Sequence, residues 1–522
     1  MKKFLKLLAV GLVAALTLTA CGGQNNDTGS DEAKTTSEDT LILVSSGDPV
    51  NFHPDFKSDD NAWGPNQNIF NRLIKLNAYD QVIPDLAETW EWNDDSTQVT
   101  FHLHEGVKWH DGEPFTSADV KWTYDTLMAE KWNKSDSLAS VESIECPDDN
   151  TVVMNLKYPD VSLIAKLSWY GMFIMPKHLY ENTDTATNEY NMKPVGTGPF
   201  KFVEFQKGVR VVLERNEDYW GDKAKVAKVI YSIIPDATTA YQAFRTGEVD
   251  YYTAIPSQNA NDFDNDPDYE VFPVIGMNRS YVTVNMTNDT FKDARVRQAI
   301  AYGIDRQMIW DRCAGGTGAV ASTFIAPNTG FADERYQMPE RDVAKAQQLL
   351  EEAGFKKDAN GIYFSAEMKF FESGYFKDAA TIIQSNLKEV GIDVKLTMLE
   401  YAAWVDNVKV NHDFEMTMAA GYQGPDVSGI SGRVGTGTSM NFMGYSNPEL
   451  DALLEKGVQV SDETERKAIY SEVQRIMSEE MPIILFMDNG AKVPVKKILK
   501  GTPYQEPTKA ASAELTYVEF VK

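Results

Sequence analysis

The sequence predicts an α/β protein built from at least two lobes, and three features carry that expectation. Apolar residues at helical spacing are followed by a glycine and then by alternating apolar residues, the order helix, turn, strand. The clearest instance puts Ile382, Ile383, Leu387 and Val390 on a helical face, stops at Gly391, and continues as a strand through Ile392, Val394, Leu396 and Met398. The N-terminus reads as a removable signal, and the 502 of 522 residues that remain exceed what one hydrophobic core organises. No later stretch approaches 18 consecutive apolar residues; the strongest run, Pro482 to Met487, has the length of a strand.

Lys2, Lys3 and Lys6 precede an apolar segment, Leu7 to Leu18, too short to span a bilayer stably. Leu18-Thr19-Ala20-Cys21 closes it as in a lipoprotein signal, so Cys21 is expected to carry a thioether-linked diacylglycerol; the alternative is an ordinary secretory signal beside an unrelated cysteine. Residues 21–40 then read as a lipidated cysteine and a polar, disordered tether. Farther on, Val99, Phe101 and Leu103 alternate as a half-buried strand, with Thr100, His102 and His104 on its other face. Thr116 and Asp119 form a capping box before a helix bearing Val120, Tyr124, Leu127 and Met128. Asp342 caps a helix carrying Val343, Ala346, Leu349, Leu350 and Ala353, with Gly354 as its left-handed stop. Asp462 with Glu465 opens another, whose face includes Ala468, Ile469, Val473, Ile476 and Met477.

Fifty basic residues against 77 acidic ones give a formal charge of −27, and losing Lys2, Lys3 and Lys6 takes it to −30. Nucleic acid is excluded as an expected partner, and so is electrostatic adhesion to anionic lipid, since both need clustered cations. Cys146 and Cys313 could pair outside the cell but read better as unpaired thiols.

No common catalytic constellation is complete. There is no Gly-x-Ser-x-Gly elbow, no His-Glu-x-x-His helix and no phosphate loop; Gly432, Gly435 and Gly437 lack the lysine that such a loop needs. Asp264, Asp266 and Asp268 have the spacing that opens a calcium loop, but Tyr269 and Ile275 occupy the glycine and glutamate positions, which leaves a surface acidic turn. His102, His104 and His110 could ligate a metal, yet no carboxylate or cysteine stands at ligand spacing beside them. No metal or cofactor is expected.

Several blocks, in order, resemble the extracellular solute-binding proteins of ABC importers, in the peptide/nickel/opine-binding family. They are Asp85 to Glu88, Thr100 to Leu103 with Gly106 to Thr116, Pro194 to Phe200, Arg215-Asn216 with Asp218-Tyr219-Trp220, Gly247 to Asp250, Asn285 with Phe291 to Arg306, Ala344 to Gly354, and Gly444 to Asp451. The resemblance covers nearly all of residues 41–522. It implies a two-lobed periplasmic-binding-protein-like clamshell hinged by two crossing segments: lobe 1 over 41–280 with a small domain inserted near 81–190, lobe 2 over 281–488, and a return to lobe 1 over 489–522.

It also implies a monomeric receptor, lipid-anchored on the extracytoplasmic face of the membrane, that closes on a short peptide or peptide-like solute and delivers it to permease subunits. Nickel-chelate, opine and oligosaccharide ligands are the alternatives within the family. An anchored extracellular hydrolase, or a surface lipoprotein that only signals or chaperones, are alternatives of other classes. Peptide-binding members hold the ammonium with an aspartate after an aromatic residue. Here the matching segment is Gly421 to Asp426, so Asp426 is the expected ammonium acceptor, displaced by one residue because Pro425 takes the usual position. Tyr422 and Tyr401 are expected to line side-chain space, Arg433 to clamp a carboxylate, and Asn441 to hydrogen-bond ligand or backbone.

Overall fold

A computed structural model describes residues 39–53, 60–132, 134–169 and 171–521. The signal and Cys21 lie outside the described residues, as does most of the expected tether, whose last residue, Thr40, instead opens a strand. Three sheets carry the body. Thr40–Ser45 pairs in parallel with Lys228–Ile233, and Arg210–Arg215 and Phe200–Gln206 follow antiparallel. Ala87–Trp92, Gln98–Leu103, Thr151–Leu156 and Val141–Asp148 form an antiparallel sheet in that spatial order. The third sheet has six strands, ordered Ala319–Val320, Ile484–Lys496, Tyr269–Val284, Met416–Tyr422, Phe364–Phe371 and Ile392–Leu399.

Local chemistry accounts for these elements. Val99, Phe101 and Leu103 are buried on one face of their strand. Thr116 and Asp119 make the reciprocal capping bonds that start the helix Ser117–Glu130. The helix Phe376–Val390 crosses between the parallel strands Phe364–Phe371 and Ile392–Leu399. It stops at Gly391, at φ +102°, where a Cβ would sit 2.7 Å from the Gly361 carbonyl oxygen. The alternation expected after it fades: Ile392 and Val394 are buried, but Met398 is exposed, because this strand is the sheet's edge. Ala468 is exposed as well, the buried stripe of Glu463–Glu480 being Arg466, Ile469, Tyr470, Val473, Ile476 and Met477. Asp293 caps the helix Ala294–Gly303, and Arg297 donates to the carbonyls of Phe291, Lys292 and Glu480. Cys146 and Cys313 are free thiols.

Two of the sequence blocks meet through His110. The Gly196 amide donates to its Nδ1 (3.2 Å) and its Nε2 faces the Gly198 carbonyl (3.0 Å), which fixes a neutral imidazole protonated at Nε2. Burial holds the ring's pKa down at about 4. A Cβ on Gly196 would collide with the Ile69 carbonyl, so glycine is what lets this loop close over the end of the helix Asp60–Ile69.

Two large apolar cores result. One gathers side chains from between Leu41 and Tyr251 together with Val493 to Val518; the other runs from Tyr281 to Met487. The strands Tyr269–Val284 and Ile484–Lys496 pass from one core to the other as an antiparallel pair. Their register is regular up to Ile275 opposite Gly490, shifts, and resumes at Arg279 opposite Asp488. There the fully buried Arg279 donates from Nε to Asp488 Oδ1 at 2.5 Å and from Nη1 to the Phe324 carbonyl at 3.1 Å. Removing one partner of a buried ion pair strands the other charge. Asp488→Leu is therefore expected to lower unfolding free energy by about 3–5 kcal/mol, and Arg279→Met with Asp488→Leu to recover most of it, by urea denaturation. A single variant as stable as the parent would contradict this role.

Candidate functional site

Three cavities of about 250, 240 and 210 Å³ adjoin one another, the second lined by Phe272 to Ile275 of the crossing strands. They share walls: Trp63 and Ser512 stand between the first and third, Tyr504 between the first and second, and Asp80 between the second and third. The third carries the strongest chemistry, because an acid, Asp80, and a base, Arg72, line it together with Trp63, Gln67, Trp169 and Tyr422.

Each is held in place by its own segment. Trp63 and Gln67 belong to the helix Asp60–Ile69. Arg72 is fixed by its backbone amide, which donates to Asp85 Oδ2 (2.8 Å), by its Nη2, which donates to Gln67 Oε1 (2.8 Å), and by stacking of the guanidinium 4.0 Å over the Phe173 ring. Asp80 sits in a tight turn organised by Asn77, whose Oδ1 accepts from the amides of Tyr79 and Gln81. Its φ of +60° is a left-handed conformation that Asp tolerates better than most residues. Tyr422 ends the strand Met416–Tyr422 and reaches from the second core to the first. Its ring stacks on Trp169 at 4.2 Å between centroids, and its hydroxyl donates to Asp80 Oδ1 at 3.1 Å. Burial raises the Asp80 pKa, opposed by that hydrogen bond, and among the described residues no cation contributes to its environment.

Of the five residues expected at a binding site, only Tyr422 lines these cavities. Asp426 is already partnered. Arg466 grips it with Nη1 on Oδ2 (2.8 Å) and Nη2 on Oδ1 (2.5 Å), and the Ser428 amide donates to Oδ1 (2.8 Å). Burial would raise its pKa, but these bonds hold it below the usual carboxylate range; it is a satisfied helix-capping anion rather than one awaiting an ammonium. Arg433 is buried rather than presented to a cavity, donating from Nη2 to the Tyr422 carbonyl (2.8 Å), with its pKa lowered by burial against the opposing Tyr281. Asn441 spends its amide on the loop, donating to the Gly435 and Tyr445 carbonyls and accepting from the Tyr445 amide. Tyr401, 56% exposed, lines none of these cavities and packs against Phe371 and Trp404.

Trp63, Arg72, Asp80 and Trp169 were not anticipated. They belong to no recognised motif, and the only sequence signal for Asp80 is an acid in a turn between two apolar strands. The other candidates resolve simply: Asp264 and Asp266 pair with Lys492 and Arg245, and His104 packs on Trp220. Among the described residues no three His, Cys, Asp or Glu side chains converge as a metal site.

Comparison with known proteins agrees with this architecture. The family model described as bacterial extracellular solute-binding proteins, family 5 Middle, matches residues 81–441. The chain belongs to this family, one of extracytoplasmic transport receptors. It is 28% identical over 528 residues to the oligopeptide-binding protein AppA of Bacillus subtilis strain 168, covering 96% of each chain. It is 27% identical over 529 residues to heme-binding protein A of Haemophilus influenzae, covering 94% of each. Among solved structures it is similar to the ABC transporter substrate-binding protein CtaP of Listeria monocytogenes, with a TM-score of 0.83 and 25% identity over 92% of this chain and 99% of that one. AppA of Bacillus subtilis in complex with a nonapeptide gives a TM-score of 0.78 and 26% identity over 92% and 99%. The fold is the two-lobed α/β fold of periplasmic binding proteins.

The geometry of Asp426 generates a test. Asp426→Asn leaves the buried Arg466 without its counter-charge and should cost about 3 kcal/mol of stability in denaturant unfolding; an unchanged midpoint would show that the pair is not structural.

Proposed function

We propose that this chain is the receptor of an ABC importer that closes on a short peptide, or a zwitterion resembling one, and presents it to a membrane permease without making or breaking a bond. The observation that carries the reading is the third cavity, where a carboxylate, Asp80, and a guanidinium, Arg72, face one space between two tryptophans and Tyr422. An ammonium group is the natural partner for a half-buried carboxylate that no cation among the described residues pairs with, and a carbonyl or carboxylate suits the arginine. The relatives named above are an oligopeptide binder and a heme binder, so the choice of peptide rests on this cavity and on the family, not on any one neighbour.

Closure turns about the crossing strands where their register shifts, residues 276–278 against 489, and carries Tyr422 onto Trp169 and Asp80. Tyr422 is thus a ligand-contacting residue in this reading, and Asp80 takes the ammonium role first considered for Asp426. Acylated Cys21 holds the receptor near its permease, raising the effective concentration of captured solute where it is consumed.

Titration calorimetry tests the assignment with trialanine and its N-acetylated form. Trialanine should bind at neutral pH; N-acetylation or Asp80→Asn should weaken binding by about 30-fold or more, the cost of unpairing a buried charge. Because the Asp80 pKa is raised, wild-type affinity should start to fall on acidification at a higher pH than an ordinary aspartate would give, as protonation removes the charge that attracts the ammonium. Equal affinities for the two peptides, or for parent and variant, would overturn Asp80 as the ammonium site.

A further inference from the structure

The first cavity, about 250 Å³, is lined largely by aromatic rings, Trp63, Tyr231, Tyr251, Tyr252 and Tyr504, and among the described residues that line it none is acidic or basic. It adjoins the Asp80 cavity, with Trp63 and Ser512 common to both. A dry apolar cavity of about 150 Å³ is large enough for benzene, so this one has room for a substituted aromatic ring. Its walls are firmly set: the Tyr231 hydroxyl accepts from Asn68 Nδ2 at 3.1 Å, and Asn68 is itself bonded to the carbonyls of Gly64 and Ala513. Tyr251 is buried, and its ring forms part of the wall.

We infer that this cavity is a specificity pocket that takes one large, uncharged side chain of the ligand, favouring an aromatic ring, and rejects lysine- or glutamate-like side chains. This rests on the peptide reading, and it adds what that reading lacks, a chemical preference. The rejection follows from burial: a charged side chain here would lose its hydration and find no counter-charge in the wall. The preference follows from area, since an aromatic ring removes far more apolar surface from water than glycine does.

Calorimetry with two tripeptide series, Xaa-Ala-Ala and Ala-Xaa-Ala, tests it, with Tyr, Phe, Gly, Lys or Glu as Xaa. At one of the two positions the Tyr and Phe peptides should bind about 10- to 100-fold more tightly than the Gly, Lys and Glu peptides. Ala254→Phe, which adds bulk at a surface-exposed lining position, should reduce the aromatic preference while the thermal midpoint shows a folded protein. Peptides that bind with no dependence on Xaa at either position, or an aromatic preference unaltered by Ala254→Phe, would overturn the pocket. Absence of binding by every tripeptide would instead overturn the peptide reading on which it rests.

Discussion

The architecture depends on one constraint, the antiparallel pairing of Tyr269–Val284 with Ile484–Lys496 as both strands pass between the two cores. A continuous ladder there would make the lobes a single stiff body. The register shift between Ile275 and Arg279 interrupts it, and side chains take over: Asn489 Nδ2 donates to Asn278 Oδ1 at 3.0 Å, and the Tyr375 hydroxyl donates to Asn489 Oδ1 at 2.6 Å. Arg279 and Asp488 close the interrupted stretch on the side of the second core. Once buried, neither charge can leave the other cheaply, so the pair fixes where pairing resumes, just before a second register shift between Ser280 and Tyr281, while leaving the preceding residues freer of backbone bonds.

The same strand places the candidate site. Tyr269–Val284 pairs on its other edge with Met416–Tyr422, and Tyr422 stands opposite Asn278, beside the interruption. The aromatic ring that spans the lobes is therefore mounted next to the place where they turn. In the proposed closure, small rotations there separate Tyr422 from Trp169 and Asp80 or bring them together. A second bridge, from the Val161 amide to the Val458 carbonyl at 2.9 Å, ties the helix Pro448–Gln459 to the first core's side of the cleft. Aromatic stacking, one hydrogen bond to a carboxylate and one backbone bond are modest interactions, suited to a closure that must also reopen.

The fold was legible in the sequence wherever its cause is local. Thr116 and Asp119, Asp342, Gly391 and Asp462 act within one helical turn, and each does in the structure what its position implies. The blocks around Gly106 to Thr116 and Pro194 to Phe200 were also legible, although their reason, His110 hydrogen-bonded to the Gly196 loop, joins segments 86 residues apart. Of the five residues singled out in the sequence, only Tyr422 lines the candidate cavities. Asp426 misleads because its partner, Arg466, stands 40 residues later on another helix, and nothing in Gly-Pro-Asp announces that the carboxylate is already claimed. Asp80 hides for the converse reason: its burial and its bond to Tyr422 arise across 342 residues, so in sequence it reads as an ordinary turn acid. Arg433 and Asn441 were rightly singled out as polar groups with something to satisfy, but what they satisfy is backbone.

A crystal structure of the protein with a bound tripeptide would test the central claim most directly. The account predicts the peptide in the cavity walled by Trp63, Trp169 and Tyr422, its ammonium within hydrogen-bonding distance of Asp80, and Asp426 still held by Arg466. A peptide ammonium bound at Asp426, with Arg466 displaced and Asp80 facing solvent, would contradict it.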